Sequence, residues 1–321
     1  MIKNKPNIVT LPRSNSKKTS LRPVLRVIVR GWVNAHRDFI VARYRVLAEI
    51  QRLDPERDHQ RIVFLSSCYD FPFDTTRALE FALFRTFCVP SISALLNRSG
   101  EFRNRAQKRY DDTDLLISEL IEWGYDSDRG KRALRRINQL HGRFAIANED
   151  FLYVLSTFIY EPIRWNERFG WRSMCEQERL GYFFFWREVG RRMNIRGIPA
   201  DYSAFERFNR AYEKQHYRFT EANRRVGAAT RELFVSWFPG FLSPLVRSTI
   251  HALLDDALID AFGFPRPSKL MRRFAAAALG LRAAIAALLP ARGGPRLRTE
   301  KRQPTYPDGY VIEQLGPPET N

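Results

Sequence analysis

Two helix-forming runs of similar length meet at Gly124-Tyr125-Asp126, and no other feature restricts the fold as much. QKRYDDTDLLISELIEW precedes the turn and SDRGKRALRRINQLH follows it, both with apolar residues at helical spacing. So short a turn folds the two runs into an antiparallel pair. Arg109 lies 16 residues before Tyr125, and His141 lies 16 residues after it. At 1.5 Å per residue, both stand about 24 Å from the turn, level with each other on facing helices. An imidazole opposite a guanidinium across a helical core can frame a buried cofactor.

The rest of the chain repeats the helical theme. Asp74-Thr75-Thr76 reads as the cap of ALEFALFRTF, and Asn148-Glu-Asp as the start of a long apolar helix kinked at Pro162. Ser173/Glu176 and Ser203/Glu206 read as capping boxes. Further helices are expected at 219–237, 243–262 and 268–289, and another over Val27–Leu53. Alternating strand patterns are nearly absent. The expectation is an all-α, single large helical domain of about ten helices. It spans residues 25–290, between a disordered basic arm (1–24) and an extended C-terminal tail (291–321).

Charge separates the ends from the middle. The net +18 is concentrated in residues 1–60 (+8) and 266–302 (+9). Such ends suit anionic lipid or acidic partners. Recognition motifs for specific nucleic acid are missing. The N-terminus lacks the apolar stretch of a secretory signal, and no apolar run reaches 18 residues. The expected location is therefore cytoplasmic, with peripheral membrane contact through the basic ends. Phe274–Leu289, interrupted by Arg282, reads either as a helix packed on the body or as one lying on a membrane surface. Three widely spaced cysteines, Cys68, Cys88 and Cys175, exclude a disulfide framework and read as free thiols.

Nucleotide-loop, nucleophile-elbow and zincin motifs are absent. Two Glu-x-x-His motifs, Glu56/His59 and Glu213/His216, leave open a di-iron carboxylate site of the ferritin-like kind. By their own pattern, His141 reads as a helix cap or core polar group, and Arg109 as a residue paired with Asp112 or Asp114. Arg164 reads equally as a partner of Glu161 or of a cofactor carboxylate. A non-enzymatic basic helical module, binding membrane or acidic partners, is the competing class.

RYDDT at 109–113, His141-Gly142 and FLYVLSTFIYEPIRW at 151–165 tip this balance. Together they resemble the catalytic domain shared by bacterial latex-clearing rubber oxygenases and fungal MpaB-type oxygenases. The resemblance implies an all-helical fold holding haem b, with His141 as the proximal iron (metal) ligand. It places Arg109 and Thr113 on the distal side; with haem as the cofactor, Arg164 reads as a partner of its propionates or, equally, of Glu161. It further implies an oxygenase acting with O2 on a hydrophobic, isoprenoid or lipid substrate. Asp112 stands where rubber oxygenases carry Lys, and no Glu occupies the spacing of their general base. Asp112 is thus a candidate catalytic group in its own right, and the departure argues against rubber itself as substrate.

Overall fold

A computed structural model describes residues 41–317. The helical core lies within residues 44–317. The basic arm (1–24) and most of the expected Val27–Leu53 helix lie outside the described residues. Among the described residues there are fourteen α-helices and no strand. The fold class is all-α, as expected. There are more helices than the expected ten because several are one or two turns long.

In order they are α1 (Arg45–Ile50), α2 (His59–Leu65), α3 (Pro72–Phe87), α4 (Pro90–Ser99), α5 (Glu101–Asn104), α6 (Ala106–Trp123) and α7 (Asp128–His141). Then come α8 (Asn148–Phe169), α9 (Glu176–Arg192), α10 (Tyr202–His216), α11 (Glu221–Ser236), α12 (Ser243–Leu253), α13 (Asp256–Phe262) and α14 (Lys269–Leu288). A short π-helical segment, Ser66–Asp70, joins α2 to α3.

The expected helix pair is α6 and α7. Ser127 caps α7, its Oγ accepting from the Gly130 N–H at 2.9 Å. The turn is tight enough to demand glycine twice. Gly124 has φ +78°, and a Cβ on Gly130 would lie 2.0 Å from the Gly124 carbonyl oxygen. That approach brings the start of α7 against the end of α6 and fixes the register of the pair.

The main core joins α6, α7, α8 and α9. Leu115, Leu120, Leu134, Ile159, Phe183, Phe185 and Trp186 are all buried there. A second cluster, around Phe84, Phe234 and Phe262, joins α3, α11 and α13. Many phenylalanines therefore fill core rather than line a channel. Cys68, Cys88 and Cys175 are free, and the first two are buried.

Several helix starts differ from expectation. α3 begins at Pro72, whose fixed φ and missing N–H suit a first turn, and Asp74 falls inside it. α9 is capped at Cys175, whose N–H donates to Glu178 at 2.8 Å. α10 is capped by Asp201, whose Oδ1 accepts from the Ala204 N–H at 2.7 Å. The expected helix 243–262 is two helices, broken where Leu254 turns extended and Asp255 caps α13.

The C-terminal segment is strapped along α6 and α7. Arg298 pairs with Asp114 at 2.5 Å, Thr305 Oγ1 donates to Asp111 at 2.5 Å and Tyr310 OH to Glu119 at 2.5 Å. Arg132 pairs with Glu313 at 2.6 Å, and Arg136 donates to the Leu315 carbonyl at 2.7 Å. Acids spaced around α6 thus hold one strand of chain, with charge-assisted bonds at most contacts.

Candidate active site at the open end of the helix pair

His141 is the last residue of α7. Its ring stands edge-on to Phe151 of α8, centroids 5.3 Å apart. Nδ1 is buried and has no hydrogen-bond partner. Burial, and then the positive charge of Arg109, push the imidazole down to about 4. Arg109, at the start of α6, and His141, at the end of α7, lie at the same end of the helix pair, near enough for the guanidinium's charge to act on the imidazole. At neutral pH the ring is uncharged and its lone pair is free, the form in which imidazole binds a metal.

Arg109 sits in the first turn of α6. Its guanidinium hydrogen-bonds the Thr113 hydroxyl and lies over the Phe102 ring, 5.5 Å from the centroid. Thr113 Oγ1 in turn donates to the Arg109 carbonyl at 3.0 Å. The four-residue spacing puts both on one helix face, as expected. Burial lowers the Arg109 pKa, with Asp112 and Glu101 opposing. The guanidinium stays charged all the same.

Thr113 also lines a cavity of about 30 Å³ with Glu80, Leu83, Tyr110, Ile117 and Phe158. That is room for a water or a diatomic gas. Glu80 is buried, pairs with Arg77 at 2.6 Å and accepts from Tyr110 OH at 2.7 Å. Burial outweighs Arg77 and pushes its carboxyl up to about 7. It can therefore hold or release a proton near neutral pH. Sequence reasoning missed Glu80, because nothing in ALEFALF marks one glutamate as enclosed by neighbours from α6 and α8.

Asp112 is buried, but its oxygens are taken by Lys108 at 2.9 and 3.0 Å and by Tyr306 OH. Lys108 also donates to the Gly316 carbonyl at 2.9 Å. Asp112 thus ties the C-terminal strap to α6, beside Arg109. Arg164 belongs to a different cluster. It pairs with Glu161 at 2.8 Å and donates to Asn209 at 2.9 Å. Arg85 joins that cluster through Glu161 at 2.9 Å and Glu213 at 3.0 Å. Thirteen residues separate Arg164 from Phe151, about 20 Å along α8. The structure does not bring Arg164 to the His141 end.

The Glu-x-x-His motifs are otherwise engaged. Glu56 is exposed and bridges to Arg187 at 3.1 Å. His59 contacts its own backbone at Glu56 and the Tyr125 hydroxyl. Glu213 holds Arg85, and His216 stacks on Tyr212, centroids 4.0 Å apart. Among the described residues, no three His, Cys, Asp or Glu side chains converge on a metal position. A haem iron needs only one protein ligand. His141, half-buried, uncharged and with an enclosed, orphaned Nδ1, fits that role.

Comparison with known proteins identifies a family. Residues 81–283 match the family described as ER-bound oxygenase mpaB/B'/Rubber oxygenase, catalytic domain. An ER-bound oxygenase mpaB' of Penicillium brevicompactum is 29% identical over 217 residues, 62% of this chain and 51% of that protein. An ER-bound oxygenase mpaB of Penicillium roqueforti (strain FM164) is 28% identical over 207 residues, 59% of this chain and 70% of that protein. An ER-bound oxygenase mpaB of Penicillium brevicompactum is 34% identical over 145 residues, 43% of this chain and 37% of that protein. The first of these matches thus spans about half the relative's length. The match takes in α6, α7 and α8 together with Arg109, Thr113 and His141, and this chain belongs to the mpaB/rubber oxygenase catalytic-domain family.

Proposed function

We propose that this chain is a haem b-dependent oxygenase that uses O2 on a hydrophobic, unsaturated isoprenoid or lipid substrate. One observation carries the reading: a half-buried, uncharged imidazole with an enclosed, unpartnered Nδ1 ends α7 near Arg109. His141 is the residue that would hold the iron. Bound haem would supply the binding and activation of dioxygen. Arg109 provides a half-buried cation whose N–H groups can donate to a developing negative charge. Thr113 fixes the guanidinium and borders the small cavity. Glu80, with Tyr110 as its donor, can hold or release a proton in the lining of the same cavity. Asp112 acts here as an anchor for the strap and, through its charge, on Arg109.

The substrate class rests on the family resemblance, and the relatives' names support an oxygenase. Peripheral contact with an anionic membrane belongs to the same reading, supported by relatives named as ER-bound and by the basic ends. The test is oxygen uptake by purified haem-containing protein offered polyunsaturated isoprenoids. Uptake with loss of a substrate double bond is expected. A haem-containing protein inert to every unsaturated lipid or isoprenoid would overturn the substrate assignment.

A further inference from the structure

The structure assigns α14 a second role: its outward face is a docking surface for an anionic phospholipid membrane. This deepens the membrane-contact part of the proposed function and owes nothing to the haem chemistry.

The sequence of α14, KLMRRFAAAALGLRAAIAAL, contains no acidic residue. One side packs on the body. Ala275 and Ala283 are buried, and Ala276 and Leu279 pack against Trp165 and Phe169. Arg282, the charge that interrupts the apolar run, turns away from solvent. It reaches the buried Asp74 at 2.7 Å and lies over the Phe73 ring at 4.5 Å. Removing that charge leaves the outward side uniformly apolar. Leu270 (78% exposed), Phe274 (54%), Leu281 (64%), Ile285 (50%) and Leu288 (77%) all stand in solvent. At 100° per residue they fall within an arc of about 60°, forming one stripe along a helix about 30 Å long.

Exposing so many large apolar side chains in one line is costly for a surface that stays in water. Charge selects the occupant. Lys269 and Arg273 flank the N-terminal end of the stripe and Arg292 follows its C-terminal end. All three are exposed, with no ion pair among the described residues. Of the ten Lys/Arg in residues 266–302, Arg266, Arg272, Arg282 and Arg298 pair with acids elsewhere in the chain, and six remain against one acid. A second copy docked face to face would press two such cationic segments together. An anionic headgroup layer neutralises them while its acyl boundary takes up the stripe. No single described helix, α14 included, is long and apolar enough to cross a membrane.

The experiment uses the full chain and the double variant Phe274→Ser/Leu281→Ser, both side chains pointing away from the core. Co-sedimentation is measured with phosphatidylcholine vesicles, with and without phosphatidylserine. Wild type should bind the phosphatidylserine vesicles, more weakly as salt rises, and bind pure phosphatidylcholine poorly. The variant should keep its circular dichroism and bind about 100-fold more weakly, the effect of withdrawing two large apolar side chains from lipid. If both proteins bind equally, contact runs through another basic segment: the α14 surface fails while membrane association stands. If wild type binds no vesicle, both fail. A concentration-dependent dimer abolished by the variant would make a second copy the occupant and overturn the lipid assignment.

Discussion

His141 should make the protein acid-sensitive in a way that one substitution removes. Its imidazole is held at about 4, against 6.5 for a free histidine. Between those values the unfolded chain binds the proton and the folded one does not. The neutral ring's contribution is thus fully present above 6.5 and is lost as pH falls toward 4. Each tenfold difference in proton affinity between the folded and unfolded chain is worth about 1.4 kcal/mol. Lowering the pH from 7.5 to 4.5 should therefore cost roughly 2 to 3 kcal/mol through this residue alone. Other groups titrate in the same range, so the informative quantity is the difference from His141→Leu, which has no proton to take up. Urea unfolding of both proteins, without added haem, at the two pH values measures it. Wild type should lose about 2 to 3 kcal/mol more than the variant. Parallel losses would mean that His141 is solvated and unfit as a buried ligand.

Gly130→Ala should destabilise the fold by about 3 kcal/mol or more, read as a lower urea midpoint, because its Cβ meets backbone rather than a movable side chain. Glu80 gives the opposite slope to His141. Its carboxyl is raised to about 7, so its contribution is full below 4.5 and is lost as pH rises through 7. Glu80→Gln should remove a pH-dependent loss of about 2 to 3 kcal/mol over that range, measured by the same unfolding series. Arg109→Ala should retain haem but lower oxygen-dependent turnover about 100-fold, as loss of a preorganised charge does elsewhere. Unchanged turnover would remove Arg109 from the chemistry.

The parts legible in the sequence were those written locally. The α6–α7 hairpin and the bounds of α14 follow from periodicity and turn chemistry a few residues long. The resemblance carried His141, Arg109 and Thr113 together, and the pair at 109 and 141 also followed from the symmetric spacing. What could not be read depends on distant partners. Asp112 is committed to the strap through Tyr306, 194 residues away. Glu80 becomes a proton-holding group only when α6 and α8 enclose it. Arg164 had a local partner, Glu161, and the structure adds Asn209 and the Arg85 cluster. Cys175 takes the cap in place of Ser173 because Arg172 is held by Asp70 and Glu178, which commits Glu178 to that corner. The break at Leu254-Asp255 carries neither Gly nor Pro, so periodicity ran through it.

The central claim is that His141 is an iron ligand, and haem titration tests it most directly. Purified protein should take up haem to one equivalent per chain and develop a sharp Soret band with a histidine-ligated spectrum. His141→Ala should lose that band while keeping its helical circular dichroism. A wild-type chain that takes up no haem, or a His141→Ala protein that binds it with the same spectrum, would contradict the account.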